Sequence, residues 1–314
     1  MNNFLDNIKE AKCIAIIGHI NPDGDCVGSC LGLYNYICDN YENKQVDVYL
    51  QPIATKFRFL KGADLIKNQS EDKIYDLAIS LDCGDTDRHG EFSGIFANAK
   101  ETICIDHHRS NTGFGNYFYL DADASSTCEF LYRFICDGTI STECAECLYL
   151  GMVHDTGVFK YPATSEETMT IAGKLISKGV RTQYIIDETF YKVSYNQNQL
   201  TGKALLNAKL HLDGKVISTC ITTDMFKEFN TTKDDTDGIV DKLRVTDGVE
   251  VAILAYQKGE DLFKFSLRSI SYVDVSKIAV AFGGGGHIRA AGVDIKGDFD
   301  VTLDKILKMI EEQL

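Results

Sequence analysis

Side chains of the kind that hold divalent cations stand in four short clusters along the chain. The stretch GHINPDGDCVGS (18–29) carries His19, Asp23 and Asp25, and Asp82 closes the apolar run YDLAISLD (75–82). Asp106, His107 and His108 end ETICIDHH (101–108), and His154 and Asp155 end ECAECLYLGMVHD (143–155). Imidazoles with carboxylates, and no thiolate, suit a hard or borderline ion such as Mn2+ better than a structural zinc. These are more candidate ligands than one ion needs when positions stay open for water and substrate. Two ions about 3.5–4 Å apart, bridged by one carboxylate, would use six of them, and such a pair serves phosphoryl chemistry. Two divalent cations balance four aspartates, so phosphate charge has to be met by Arg and His elsewhere.

Each cluster also has a plainer reading. Asp in a PDGD turn shapes the turn, and Asp82 after a strand can cap a helix. His154 can simply close its helix and is read that way. Adjacent His107 and His108 straight after a buried strand are harder to explain as packing, and four such coincidences at element ends are harder still. Of the seven histidines, only His89 and His211 lie outside these polar motifs and the glycine run described below, so the clustering is not a matter of composition.

The elements that must position these groups alternate. KCIAIIG (12–18), VDVYL (46–50), YDLAISLD and ETICIDH (101–107) read as strands buried on both faces, and VGSCLGLYNYICDN (27–40), SSTCEFLYRFICDG (125–138) and 143–155 have helical spacing. This predicts an α/β fold with an N-terminal doubly wound, mostly parallel sheet. The carboxyl ends of such strands line one crevice, so the clusters can converge there. Pro22 and Gly24 are expected to form a tight turn that faces His19, Asp23 and Asp25 into it, with Gly28 and Ser29 opening the next helix. A polar helical linker over 191–205 leads to a smaller α/β C-terminal domain. Its elements are KVISTCITT, a helix near 236–245, the hairpin pair EVAILAYQ and DLFKFSLRS, a helix DVSKIAVAF, a run of four glycines and an amphipathic helix from about 301. The expected boundaries are 1–190, 191–205 and 206–314.

Composition sets limits on this picture. With 44% hydrophobic and 25% charged residues, the 314-residue chain is of the soluble globular kind. It shows neither a signal-peptide pattern nor eighteen consecutive apolar residues, so a cytoplasmic protein without a membrane partner is expected. Eleven cysteines, an odd count, fit reduced thiols better than disulfides. Cys144 and Cys147 of the CAEC pair read as core, as do Cys26 and Cys83 beside the candidate ligands. A net charge of −14 argues against a binder of long duplex nucleic acid and leaves a small anionic substrate open.

The ordered motifs HINPDGDCVGS, DCGDTDR, DHHRSN, HDTG and GGGGHIRAAG together resemble the DHH phosphoesterase family with its DHH-associated C-terminal domain, and within it the stand-alone nanoRNase/pAp phosphatase group. The resemblance covers essentially the whole chain. It implies two Mn2+ ions per active site, with Mg2+ or Co2+ as alternatives. His19, Asp23 and Asp82 would hold one ion, and Asp25, Asp82, His107 and Asp155 the other, with Asp82 as the bridge and a bridging hydroxide attacking phosphorus. Asp106 would orient a ligand histidine, and His108 would contact the scissile phosphate and assist the leaving group.

The glycine run has neither the Lys-Ser/Thr of a Walker A loop nor a Rossmann context, and alone it reads as a flexible loop. By the resemblance, Gly284, Gly285, Gly286 and His287 bind the non-scissile end of the substrate and Arg268 holds a terminal phosphate, for which its fork of donors suits it. Arg88 and Arg109 are further phosphate contacts, with surface salt bridging as the alternative. The expected substrates, held between the two domains, are short RNA oligonucleotides cut to 5′-mononucleotides, and pAp converted to AMP. Linear or cyclic dinucleotides (pApA, cyclic di-AMP) are the nearest alternative. Inorganic pyrophosphate fits less well, because a pyrophosphatase shares the metal half but not the GGGH-bearing domain. A non-catalytic nucleotide sensor is the rival from another class, disfavoured because no ligand is missing. The oligomeric state stays open, a homodimer included.

Overall fold

The protein was analysed as a computed structural model that describes residues 2–136 and 138–314. It divides into two compact units, Met1–Lys192 and Val193–Leu314.

The first unit is built on five strands: β1 (Cys13–Ile17), β2 (Gln45–Tyr49), β3 (Leu77–Leu81), β4 (Glu101–Asp106) and β5 (Tyr117–Leu120). They lie in the order β2-β1-β3-β4-β5 and every pairing is parallel. Its helices are α1 (Asn2–Glu10), α2 (Gly24–Asn40), α3 (Ser93–Ala97), α4 (Thr127–Ile135), α5 (Thr142–Asp155), α6 (Glu166–Ile176) and α7 (Thr182–Ile186). Parallel strands must be covered on both sides, and β1 shows how. Ile14 and Ile16 join the large core formed with α1, α2, α4 and α5, while Ala15 and Ile17 turn to a second cluster with Tyr49, Tyr75, Phe92, Ile95 and Phe96. Continuous apolar runs, rather than alternation, follow from this double burial. The chain leaves β1 for β2 on one side and then crosses to β3 on the other. The sheet therefore changes winding direction between β1 and β3, which is where open α/β sheets bind ligands.

His89 lies in the thinner of the two layers. It is 1% exposed, its Nε2 is 2.7 Å from Ser80 Oγ, and its ring packs on Phe96 and Phe114. Burial pushes its imidazole down to about 4, and burial followed by the nearby Lys56 does the same for His154, also to about 4. A histidine held neutral in the fold but free to protonate when unfolded contributes stability above its ordinary value near 6.5, and that contribution is lost as pH falls toward 4. Between about pH 7.5 and pH 5, each group is expected to cost about 2 kcal/mol. The change in stability from pH 7.5 to pH 5, read from urea unfolding, should therefore be about 2 kcal/mol less unfavourable in His89→Leu than in the wild type; an unchanged slope would refute this assignment.

The second unit holds β6 (Lys209–His211), β7 (Val216–Ile221), β8 (Val251–Gln257), β9 (Leu262–Ser269), β10 (Gly285–His287) and β11 (Ala290–Lys296), in the order β10-β11-β9-β8-β7-β6. Only β7 and β8 pair in parallel; the other neighbours are antiparallel. Its helices are α8 (Tyr195–Leu206), α9 (Thr223–Glu228), α10 (Ile239–Arg244), α11 (Val275–Ala281) and α12 (Phe299–Glu311). Val251, Ile253 and Ala255 of β8 face a cluster with α11 and α12, whereas Ala252 and Leu254 face one with α8, α9 and α10. The helix foreseen as a connector is α8, and its Leu200 and Ala204 are fully buried in that second cluster. Among the described residues no helix is long and apolar enough to cross a membrane.

Candidate active site

Three neighbouring strands end at one place. Beyond β1 the chain passes through Gly18 and His19 to Asn21, whose φ is 55°, and Asp23 then caps α2 by accepting the Asp25 and Cys26 backbone N–H groups at 3.1 Å. The helix opens at Gly24, three residues before the expected start, and this puts Asp25 in its first turn, fully buried. Gly24 is demanded less by the turn than by close approach: a Cβ there would run into the His154 ring. His154 itself turns away from the carboxylates and bonds to Thr189 Oγ1 at 2.9 Å, as its structural reading requires.

Asp82 follows β3 with φ 60°, a left-handed conformation that aspartate tolerates better than most residues. Its two oxygens look two ways. Oδ2 lies 3.4 Å from His19 Nε2, which is also 3.6 Å from Asp23 Oδ1. Oδ1 lies 3.7 Å from His107 Nε2, which is 3.2 Å from Asp155 Oδ2 and 3.9 Å from Asp25 Oδ2. The structure thus brings His19, Asp23, Asp25, Asp82, His107 and Asp155 together, in two sets that share Asp82. Both imidazoles are oriented: His19 Nδ1 donates to the Ile20 carbonyl at 2.8 Å and His107 Nδ1 to the Ala124 carbonyl at 3.3 Å, leaving each Nε2 turned to the carboxylates.

The electrostatics show what the cluster lacks. Burial, then the charges of Asp82 and Asp155, push the Asp25 carboxyl well above its usual range. Burial opposes charge on both imidazoles, yet the carboxylates win, carrying His19 upward and His107 up to about 10. The histidines take up protons because the carboxylates need positive charge. Divalent cations would supply it, so the donor set fits such ions.

Asp106 has a different partner from the one expected. It does not steer a ligand histidine; its Oδ1 pairs with His108 Nδ1 at 2.7 Å, and its Oδ2 accepts from Asn111 Nδ2 at 2.7 Å. The bond to Asp106 raises His108 above the ordinary imidazole range. His108 Nδ1 is 3.6 Å from Asp82 Oδ1, and its side chain is partly open to solvent.

Two groups escaped the sequence reading. The N-terminus of α4 grips Asp25, through the backbone N–H groups of Thr127 at 2.6 Å and Cys128 at 2.9 Å, while Thr127 Oγ1 donates to Asp82 Oδ1 at 2.9 Å. Asn111 is the other, clamped between Asp106 and the Cys83 carbonyl. The SST triplet signals a helix start, but not which anion sits on it. Thr127→Val keeps the shape and deletes the hydroxyl, and is expected to weaken Mn2+ binding by about 10- to 100-fold in a calorimetric titration. Unaltered affinity would leave Thr127 a mere helix-starter.

Arg88 is exposed on the short helix after Asp82, and Arg109 pairs with Asp123 at 3.0 Å with both side chains largely in solvent. The glycine run is not a loose loop: Gly285–His287 form β10 and pair with β11. The register sets Arg268, Ala290 and His287 side by side on one face of β9, β11 and β10, next to the row Ser266, Gly292 and Gly285. The side chains of Arg268 and His287 flank a floor of small residues there.

Hard donors crowded around a shared carboxylate call for divalent cations, and on an open α/β sheet they define a metal-dependent phosphoesterase. The chain belongs to the DHH family. "DHH family, N-terminal domain" matches residues 13–152 and "DHHA1 domain" matches residues 213–314. It is 29% identical over 309 residues to the bifunctional oligoribonuclease and PAP phosphatase NrnA of Thermus thermophilus, covering 96% of this chain and 90% of that one. The Bacillus subtilis protein of the same name is 27% identical over 282 residues, covering 88% and 87%. Among solved structures, an exopolyphosphatase-related protein from Bacteroides fragilis superposes with a TM-score of 0.87 at 28% identity, covering 99% of this chain and 95% of that one.

Proposed function

We propose that this phosphoesterase is Mn2+-dependent, hydrolyses short RNA oligonucleotides to 5′-mononucleotides and converts pAp to AMP. The observation that supports this most is a two-sided Asp82 between two ligand sets, in a chain similar over nearly its full length to two proteins named for those activities. In this reading His19, Asp23 and Asp82 hold one cation, and Asp25, Asp82, His107 and Asp155 the other. When bound, the cations make water acidic enough to act as a nucleophile near neutral pH and neutralise phosphate oxygens. Asp106 pins Nδ1 of His108, so that Nε2 meets the scissile phosphate and gives its proton to the leaving ribose oxygen. Arg268 and His287, beside Gly284, Gly285 and Gly286, bind substrate phosphate away from the reacting bond, with Arg88 and Arg109 as further phosphate contacts.

The test compares initial rates on pAp, a five-residue RNA, pApA and cyclic di-AMP, each with Mn2+, Mg2+ and Co2+. Fast release from pAp and the RNA, greatest with Mn2+, is the expected result. Dominance of pApA or cyclic di-AMP would move the enzyme to dinucleotide turnover and overturn the substrate assignment.

A further inference from the structure

A sulfur lies beside the first ligand set. Cys26 is the third residue of α2 and fully buried, and its Sγ accepts the His19 backbone N–H at 3.2 Å. Ligand atoms of His19, Cys26 and Asp82 lie within 4.8 Å of one another. On its other side the sulfur rests against Gly18, where a Cβ would collide with it, so the glycine keeps its place open.

These contacts are more than packing requires. Burial and the neighbouring Cys30 thiol hold the Cys26 thiol well above its usual range, while the His19 N–H and the positive end of a 17-residue helix work the other way, so it takes a bound cation to draw the proton off. Thiolate is a soft donor that prefers Zn2+ and its like, whereas Mn2+ prefers oxygen and imidazole. A metal–sulfur bond of about 2.3 Å also reaches farther than the roughly 2.0–2.1 Å of an imidazole bond, which helps a donor standing behind the others.

We propose that Cys26 is a further ligand at the His19–Asp82 position, engaged by soft and borderline divalent cations such as Co2+, Zn2+ and Cd2+ and left unused by Mn2+. The assignment rests on the metal-centre reading above. On binding, the S–H bond breaks, a metal–sulfur bond forms and the proton leaves to buffer, with no change of oxidation state. The centre then has two modes: an oxygen and nitrogen site for hard ions, and a thiolate-closed site that holds softer ones more tightly.

The experiment loads the full-length, metal-free protein with Co2+ and records its absorption. The visible ligand-field bands report occupancy, and a near-ultraviolet sulfur-to-cobalt charge-transfer band reports the thiolate. The band is expected in the wild type and in Cys30→Ala, which alters a buried thiol one turn further along α2, and is expected to be lost in Cys26→Ser. The Cd2+ over Mn2+ affinity ratio of Cys26→Ser should fall by about tenfold or more. Cobalt-edge X-ray absorption of the wild type alone makes the result independent of how the variants fold: a sulfur neighbour at about 2.3 Å is expected. Bound Co2+ with only nitrogen and oxygen neighbours would overturn the role of Cys26 and leave the phosphoesterase reading intact. Failure of Co2+ to bind at all would overturn both.

Discussion

Asp82→Asn is expected to abolish turnover and, in the same protein, to raise the stability of the ion-free state. The side chain stands between two ligand sets, with one oxygen toward His19 and the other toward His107. Asparagine keeps its size and tolerates the left-handed backbone at φ 60°, so the change is confined to charge and to one lost acceptor. Losing the shared ligand removes several kcal/mol of transition-state stabilisation; about 5 kcal/mol corresponds to a fall in kcat of about 10³- to 10⁴-fold. Without ions, however, Asp82 adds negative charge beside Asp25 and Asp155 in a buried place, which the protonated His19 and His107 offset only in part. Its removal is expected to raise the Tm of the chelator-treated protein by about 2 °C or more. Mn2+ should raise the wild-type Tm by binding only the folded chain, and that shift should vanish in the variant. A variant that keeps the Mn2+ shift, or that is less stable than wild type without ions, would show Asp82 to be structural.

That opposition between function and stability explains why so much of the site was legible in the sequence. A carboxylate at the end of a run such as LAISL has no packing role, so Asp82, His107 and Asp155 stood out against their surroundings. The strands were equally legible because double burial makes them continuous apolar runs. β5 was missed because it is a strand of only four residues at the sheet edge, where Tyr117–Leu120 is only partly buried. β10 and β11 were missed for a related reason: Gly285–His287 is exposed, and a glycine run resembles a loop until its partner strand is known. The supports of the site were the least legible. Thr127 and Asn111 lie 45 and 5 residues from the carboxylates they hold, Asp82 and Asp106. Their types suit many roles, and only the folded arrangement selects one. The start of α2 was misplaced because Gly24 signals a turn in isolation, whereas in the fold it makes room for His154.

The same dependence on a neighbour sets the outcome of Asp106→Asn. Asn111 donates to Asp106 Oδ2, so the new amide must keep its oxygen on that side and turn its NH2 toward His108 Nδ1. His108 Nδ1 then has to accept rather than donate, and the imidazolium that Asp106 favours is no longer stabilised. A neutral imidazole is a poor donor to a ribose oxygen, so kcat on pAp and short RNA is expected to fall by about 10²- to 10⁴-fold with little change in KM. The control is a leaving group that needs no proton. On bis(p-nitrophenyl) phosphate the deficit should shrink to within about tenfold, because protonation of the departing p-nitrophenolate contributes little to its barrier. If both substrates suffer equally, His108 does not act as the acid and Asp106 serves only to hold the β4 end in place. If the loss falls in KM instead, His108 binds phosphate without moving a proton, and the leaving oxygen must draw its proton from elsewhere in the site.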